Sequence, residues 1–273
     1  MPSHGRFGLV VGWKVIAMAE PWLKRQMQRL VGAAGYKIVQ LKAYERRNGK
    51  SPTFDASANK IFGIGYNKTA STTLEAILRH YGFRLPKQLE QEQALAGVPF
   101  NGDFSKLRDF IAEYDAFQDV PFSQFDTYIA CDVLYPGSKF ILTIRDPDHW
   151  FASYVRYYRK AYGFTPEEEL NEASFLGKDL YLFPGYVHGL MRQSLLVAND
   201  QNCVAPDWSK VFDPTHFKAL YMQRNTAIVR YFSNRPQDLL VIDLSKEVDT
   251  SRIVAFLGLT KEKIIPMPHL NIG

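Results

Sequence analysis

The sequence predicts an α/β protein in three layers: a central parallel sheet flanked by helices. Three observations lead there. From Lys60 onward, short apolar runs alternate with helical patterns. The runs are nearly continuous in apolar residues, as strands are when helices cover both faces of their sheet. The chain has 273 residues, enough for one sizeable α/β domain with an appendage.

The elements follow in order. Residues 7–33 read as one or two amphipathic helices, with Trp13, Ile16, Met27, Leu30 and Val31 available for one face. Residues 46–59, "RRNGKSPTFDASAN", are polar with Gly and Pro and read as a linker. The division is therefore a basic helical arm and linker over 1–59 and a main domain over 60–273. "KIFGIG" is a buried strand, followed by a helix from Thr69 to Tyr81. "YDAFQDVPF" holds a second strand, with a helix from Ser123 to Leu134. "KFILTIR" is the third, with a helix from Pro147 to Tyr162. "QDLLVIDL" is the fourth, with a helix from about Thr250 to Leu257.

Charge separates the two parts. Residues 1–60 carry 11 Lys/Arg against 3 Asp/Glu, a balance of +8, while the remainder carries −3. The basic arm reads as a solvated face, with contact to anionic lipid headgroups or another polyanion as the alternative. Nucleic acid is not expected as a partner. No stretch reaches the roughly 18 apolar residues of a membrane span. "FGLVVGWKVIAMAEP" has some features of a secretion signal, but Lys14 interrupts its apolar run, and an amphipathic helix is the preferred reading. The two cysteines, Cys131 and Cys203, make neither a disulfide framework nor a metal site. They fit a reducing compartment, so a cytoplasmic setting is expected, with a single bridge left open.

"KIFGIGYNKTASTTLEAIL" holds the first chemical signal. After the strand, Gly65, Tyr66 and Asn67 turn the chain, and Lys68 stands at the helix start with Thr69, Ser71, Thr72 and Thr73. The first N–H groups of a helix have no intrahelical partners and carry the positive end of its dipole, so an anion binds there. A helix cap alone would use one hydroxyl. Four hydroxyls and a lysine suit a phosphate or sulfate. The nucleoside-triphosphate pattern G-x-x-x-x-G-K-[ST] is not met, because Asn67 stands where it requires glycine. Asp243 is the one contender for a magnesium aspartate. These departures weaken an ATP-dependent kinase of a small metabolite and leave it as an alternative.

"KFILTIRDPDHWFASYVRYY" repeats the logic. Arg145 lies at a strand's carboxyl end, Asp146 and Pro147 suit the N-cap and first helical positions, and Ser153 follows two turns later. Arg145 and Ser153 would then address one group above the sheet, a guanidinium fork suited to phosphate. A structural salt bridge at Arg145 is the competing reading.

"GYNKTASTTL" and "FILTIRDPDHWFASY" resemble the 5′-phosphosulfate loop and 3′-phosphate motif of sulfotransferases that use 3′-phosphoadenosine 5′-phosphosulfate (PAPS). "YDAFQDVPF", "NTAIVRYFSNRPQDLLVIDL", "IVAFLGL" and "PMPHLN" extend the resemblance over roughly Lys60 to Asn271. It implies a P-loop-like fold and transfer of a sulfuryl group from PAPS to a hydroxyl acceptor, without a metal. It implies that Asn67, Lys68, Thr69, Ala70, Ser71, Thr72 and Thr73 hold the 5′-phosphosulfate and Arg145 and Ser153 the 3′-phosphate. Ala70 departs from the family's glycine. Lys68 would also act catalytically, and the family's base position falls on Asp119, with a turn or cap role as its alternative and His149 as its rival. A carboxylate near its ordinary pKa of about 3.9 is a weak base, so burial must raise it or it mainly orients the hydroxyl. The aromatic stretch 155–206 suits a sugar, glycolipid or phenolic acceptor, although Tyr154 and Tyr158 fit a core equally well. A nucleotide-binding module without turnover is a further alternative.

Overall fold

The computed structural model describes residues 59–178, 182–198 and 203–268. The N-terminal arm, its amphipathic helices and most of the linker lie outside them. Four parallel strands form the central sheet: β1 (Ile61–Gly63), β2 (Ala116–Phe117), β3 (Lys139–Thr143) and, last in the chain, β6 (Leu239–Ile242), in the order β2-β1-β3-β6. Helices α1 (Ser71–His80), α2 (Gln88–Leu95), α3 (Val98–Asn101) and α4 (Phe104–Ala112) lie between β1 and β2. α5 (Thr127–Leu134) precedes β3, and α6 (Pro147–Tyr162) and α7 (Tyr186–Ser194) follow it. A two-stranded antiparallel hairpin, β4 (Leu196–Ala198) with β5 (Val204–Pro206), leads to the long α8 (Pro214–Tyr231), and α9 (Ser251–Phe256) follows β6.

Alternation along the strands builds both faces. Ile61, Ala116, Ile141 and Ile242 turn to one side and pack against Leu74, Ile77 and Leu78 of α1 and Ile253 and Val254 of α9. Phe62, Phe117 and Phe140 turn to the other. Register makes them neighbours, since Phe62 pairs with Phe117 on one side and Phe140 on the other. Their rings stack at 5.4 and 5.3 Å. Leu107, Ile111, Tyr128, Cys131, Ile228 and Phe232 cover this face from α4, α5 and α8 and the residue after it. Burying such side chains contributes about 1.5–3 kcal/mol each, which makes this double-sided core the main source of stability.

The four expected strands are all present, shorter than read. α6 spans the expected residues, capped by Asp146, whose Oδ1 accepts from the Asp148 and His149 N–H groups at 3.0 and 3.1 Å. The helix expected from Ser123 begins only at Thr127. Pro121 has no N–H to give, and Asp119 and Phe125 take left-handed backbone angles (φ 62° and 45°), so this stretch is spent in turns. Cys131 is in the core, Cys203 is exposed, and no disulfide joins them. Among the described residues no helix is long and apolar enough to cross a membrane.

Candidate active site

The loop after β1 is shaped by close approach. A Cβ at Gly65 would run into the side chain and carbonyl of Thr143 on β3, so only glycine lets the chain cross there. Lys68 and Ala70 then take left-handed conformations (φ 71° and 70°). Trp150 Nε1 of α6 donates to Asn67 O at 3.1 Å. The Tyr66 ring is flanked by Trp150 and Tyr221 at 5.6 and 5.8 Å, and the Arg224 guanidinium lies 4.9 Å from it. Arg224, nearly buried, donates to Ile64 O at 2.8 Å and Phe125 O at 3.1 Å. The loop is thus braced from β3, α6 and α8.

This brace presents the start of α1. No side chain caps its N-terminus, and its first turn holds no acidic residue. Unpaired N–H groups there remain for an anion. Asn67, Lys68, Ala70, Ser71, Thr72 and Thr73 line a cavity of about 360 Å³. Thr69 does not line it. Its hydroxyl is turned toward the sheet, donating to Tyr66 O and lying 2.7 Å from Thr143 Oγ1. Of the four hydroxyl residues at the helix start, Thr69 therefore shapes the loop while the other three line the cavity.

Arg145 and Ser153 line the same cavity from the end of β3 and from α6. Tyr221 clamps the Arg145 backbone, its hydroxyl accepting from Arg145 N at 2.8 Å and donating to Arg145 O at 3.0 Å. Among the described residues no carboxylate pairs with the Arg145 side chain, so the salt-bridge reading has no support. β1 and β3 are adjacent, which brings the two motifs together at the carboxyl ends of paired strands.

Over residues 60–273 the chain matches the family model described as Sulfotransferase domain. It belongs to that family. None of the curated proteins matches the chain.

In this sulfotransferase domain Asp119 forms part of the cavity wall and accepts from Ser71 Oγ at 3.1 Å, so it is tied to the anion loop itself. It does not cap a helix. Its acid is pushed up to about 6, first by burial and then by Glu92, against the pull of Ser71, the Val120 N–H and Lys68. Burial likewise pulls the Lys68 amine below its ordinary range, with Asp119 opposing. Lys68 Nζ lies 4.5 Å from the centre of the Tyr157 ring. His149 stands outside the cavity, its side chain 77% exposed and 3.8 Å from Asp146. Asp243 closes its own turn, accepting from Ser245 N and Oγ and pairing with Lys246.

Several lining residues went unnoticed in the sequence. α2 contributes Gln88 and Glu92, four residues apart on one helix face, while Gln91 pins the Asp119 loop by donating to Gln118 O at 2.6 Å and Val120 O at 2.7 Å. "QLEQEQAL" reads as a solvated stretch, yet Gln91 and Glu92 are buried. Tyr157, Tyr158, Tyr162 and Tyr186 form an aromatic wall within the expected 155–206 region, with Leu182 beside them and Gln124 joining from outside it. Tyr154 belongs to the core, and Tyr158, Tyr162 and Tyr186 are buried in the same cluster while also lining the cavity.

Proposed function

We propose that the protein transfers a sulfuryl group from PAPS to a hydroxyl acceptor. The observation that carries this reading is the Ser71–Asp119 hydrogen bond. It joins the anion loop to a carboxylate of raised proton affinity inside one cavity that Arg145 and Ser153 also line. The donor set fits such a co-substrate: a helix N-terminus without a side-chain cap, a lysine, three hydroxyl residues and the Arg145 guanidinium, all suited to phosphate and sulfonate oxygens.

In this mechanism the sulfur–oxygen bond to the acceptor forms as the one to the 5′-phosphate breaks, in line, with little covalent work for the protein. Lys68 holds the charge growing on the departing phosphate oxygen, and the first N–H groups of α1 hold the sulfonate oxygens. Asp119 takes the proton from the acceptor hydroxyl. Ser71, bonded to Asp119, keeps base and loop in fixed relation. The setting is cytoplasmic, with the basic segment before residue 60 a solvated face and contact to anionic lipid headgroups as its alternative.

Arg145→Ala tests the assignment of the second motif. Its loss should weaken adenosine 3′,5′-bisphosphate by about 100-fold, in line with a lost charge-assisted fork, and adenosine 5′-phosphate by no more than about 3-fold. Equal losses in titration would remove Arg145 from the 3′-phosphate.

A further inference from the structure

The cavity is electrically polarised. Lys68 and Arg145 supply its positive side, and α2 brings a second carboxylate, Glu92, beside Asp119. The Gln88 amide joins the two acids: its Nε2 donates to Glu92 Oε1 at 2.7 Å and lies 3.5 Å from Asp119 Oδ2. Glu92, Asp119, Tyr157 and Tyr186 all line the cavity, and burial first, with Glu92 adding to it, makes Asp119, Tyr157 and Tyr186 hold their protons more tightly. Gln124 lines the cavity too. It is 8% exposed, its Nε2 donates to Tyr186 Oη at 2.7 Å, and its Oε1 has no hydrogen-bond partner among the described residues. A buried carbonyl left unsatisfied is costly, and a donor group entering beside Tyr186 would relieve it.

We propose that the acceptor is an uncharged, ring-sized polyhydroxyl compound: one hydroxyl presented to Asp119, a second donating to Gln124, and no anionic substituent. This rests on the sulfuryl-transfer reading, which fixes the Asp119 end of the cavity as the acceptor's. An anionic substituent there would face Glu92 and Asp119 in a partly desolvated space, where like charges repel strongly. A neutral ring meets the wall lined by Tyr157, Tyr158, Tyr162 and Tyr186 instead. A site built to accept a hydrogen bond also rejects analogues lacking the donor.

The test uses the full chain, PAPS and matched probes: methyl glucoside with its glucuronate counterpart, and catechol with phenol and 3,4-dihydroxybenzoate. Each neutral polyhydroxyl probe that is sulfated should exceed its carboxylated partner in kcat/KM by at least about 10-fold. Glu92→Gln should shrink that ratio several-fold. Gln124→Leu should lower transfer to catechol far more than to phenol. Titration with adenosine 3′,5′-bisphosphate in each variant reports an intact fold and donor end. Sulfation favouring the carboxylated probes, indifference between catechol and phenol, or transfer to none of the probes while the bisphosphate binds, would overturn the proposal. Failure of the bisphosphate to bind the unaltered protein would overturn the parent reading instead.

Discussion

Burial in the cavity wall disfavours the Asp119 carboxylate, and the neighbouring Glu92 adds to this, so its acid is pushed up to about 6. The folded protein therefore holds that proton more tightly than the unfolded chain. As pH rises from about 4 to about 6 the folded state loses stability on this account, and above 6 the deficit stays constant. Asp119→Asn should accordingly lower kcat by at least about 100-fold. It should also raise unfolding free energy at pH 8 by on the order of 1–3 kcal/mol. Asparagine suits the left-handed backbone at this position. In the unaltered protein kcat/KM should climb through about pH 6 and then level. A flat profile, or a variant with near-normal turnover, would remove Asp119 as base. Ala70 poses the opposite case, since alanine stands at φ 70° where glycine is comfortable. Ala70→Gly should stabilise the protein by about 0.5–1 kcal/mol in denaturant unfolding, part of the gain being offset by the freer unfolded chain. A loss of stability would contradict the left-handed turn. The sequence showed that Ala70 departs from the family pattern, but a backbone angle is not written in composition. Thr69 likewise looked equivalent to its neighbouring hydroxyls, and only the nearness of Thr143 separates it from them.

α8 holds both Tyr221, which clamps Arg145, and Arg224, which braces the loop. Tyr221→Phe leaves the Trp150 stack in place and removes two hydrogen bonds, so it should cost about 1–3 kcal/mol of stability. It should also weaken bisphosphate binding by about 3- to 10-fold, through a looser Arg145. Unchanged affinity in titration would mean that the β3 terminus holds Arg145 unaided. α6 was legible to the residue because Asp146 and Pro147 are local signals acting within one turn. α5 was read four residues too early because left-handed Asp119 and Phe125 are set by tertiary contacts. α2 was missed for a related reason: its polar residues are buried by the site they line.

At the scale of the whole molecule, the parallel sheet places two loops at the carboxyl ends of adjacent strands, and both motifs point into one cavity. That much was legible because buried strands are written as apolar runs, and each motif followed one directly. The acceptor wall was less so, being assembled from α2, the Gln124 turn, α6 and α7, whose convergence no local pattern encodes. A cavity that takes PAPS must hold a nucleotide phosphorylated at both its 3′ and 5′ positions. Isothermal titration of adenosine 3′,5′-bisphosphate against ATP with magnesium decides the matter. Tight binding of the bisphosphate and none of ATP–magnesium is expected; the reverse order would make Arg145 structural and hand the site to a kinase.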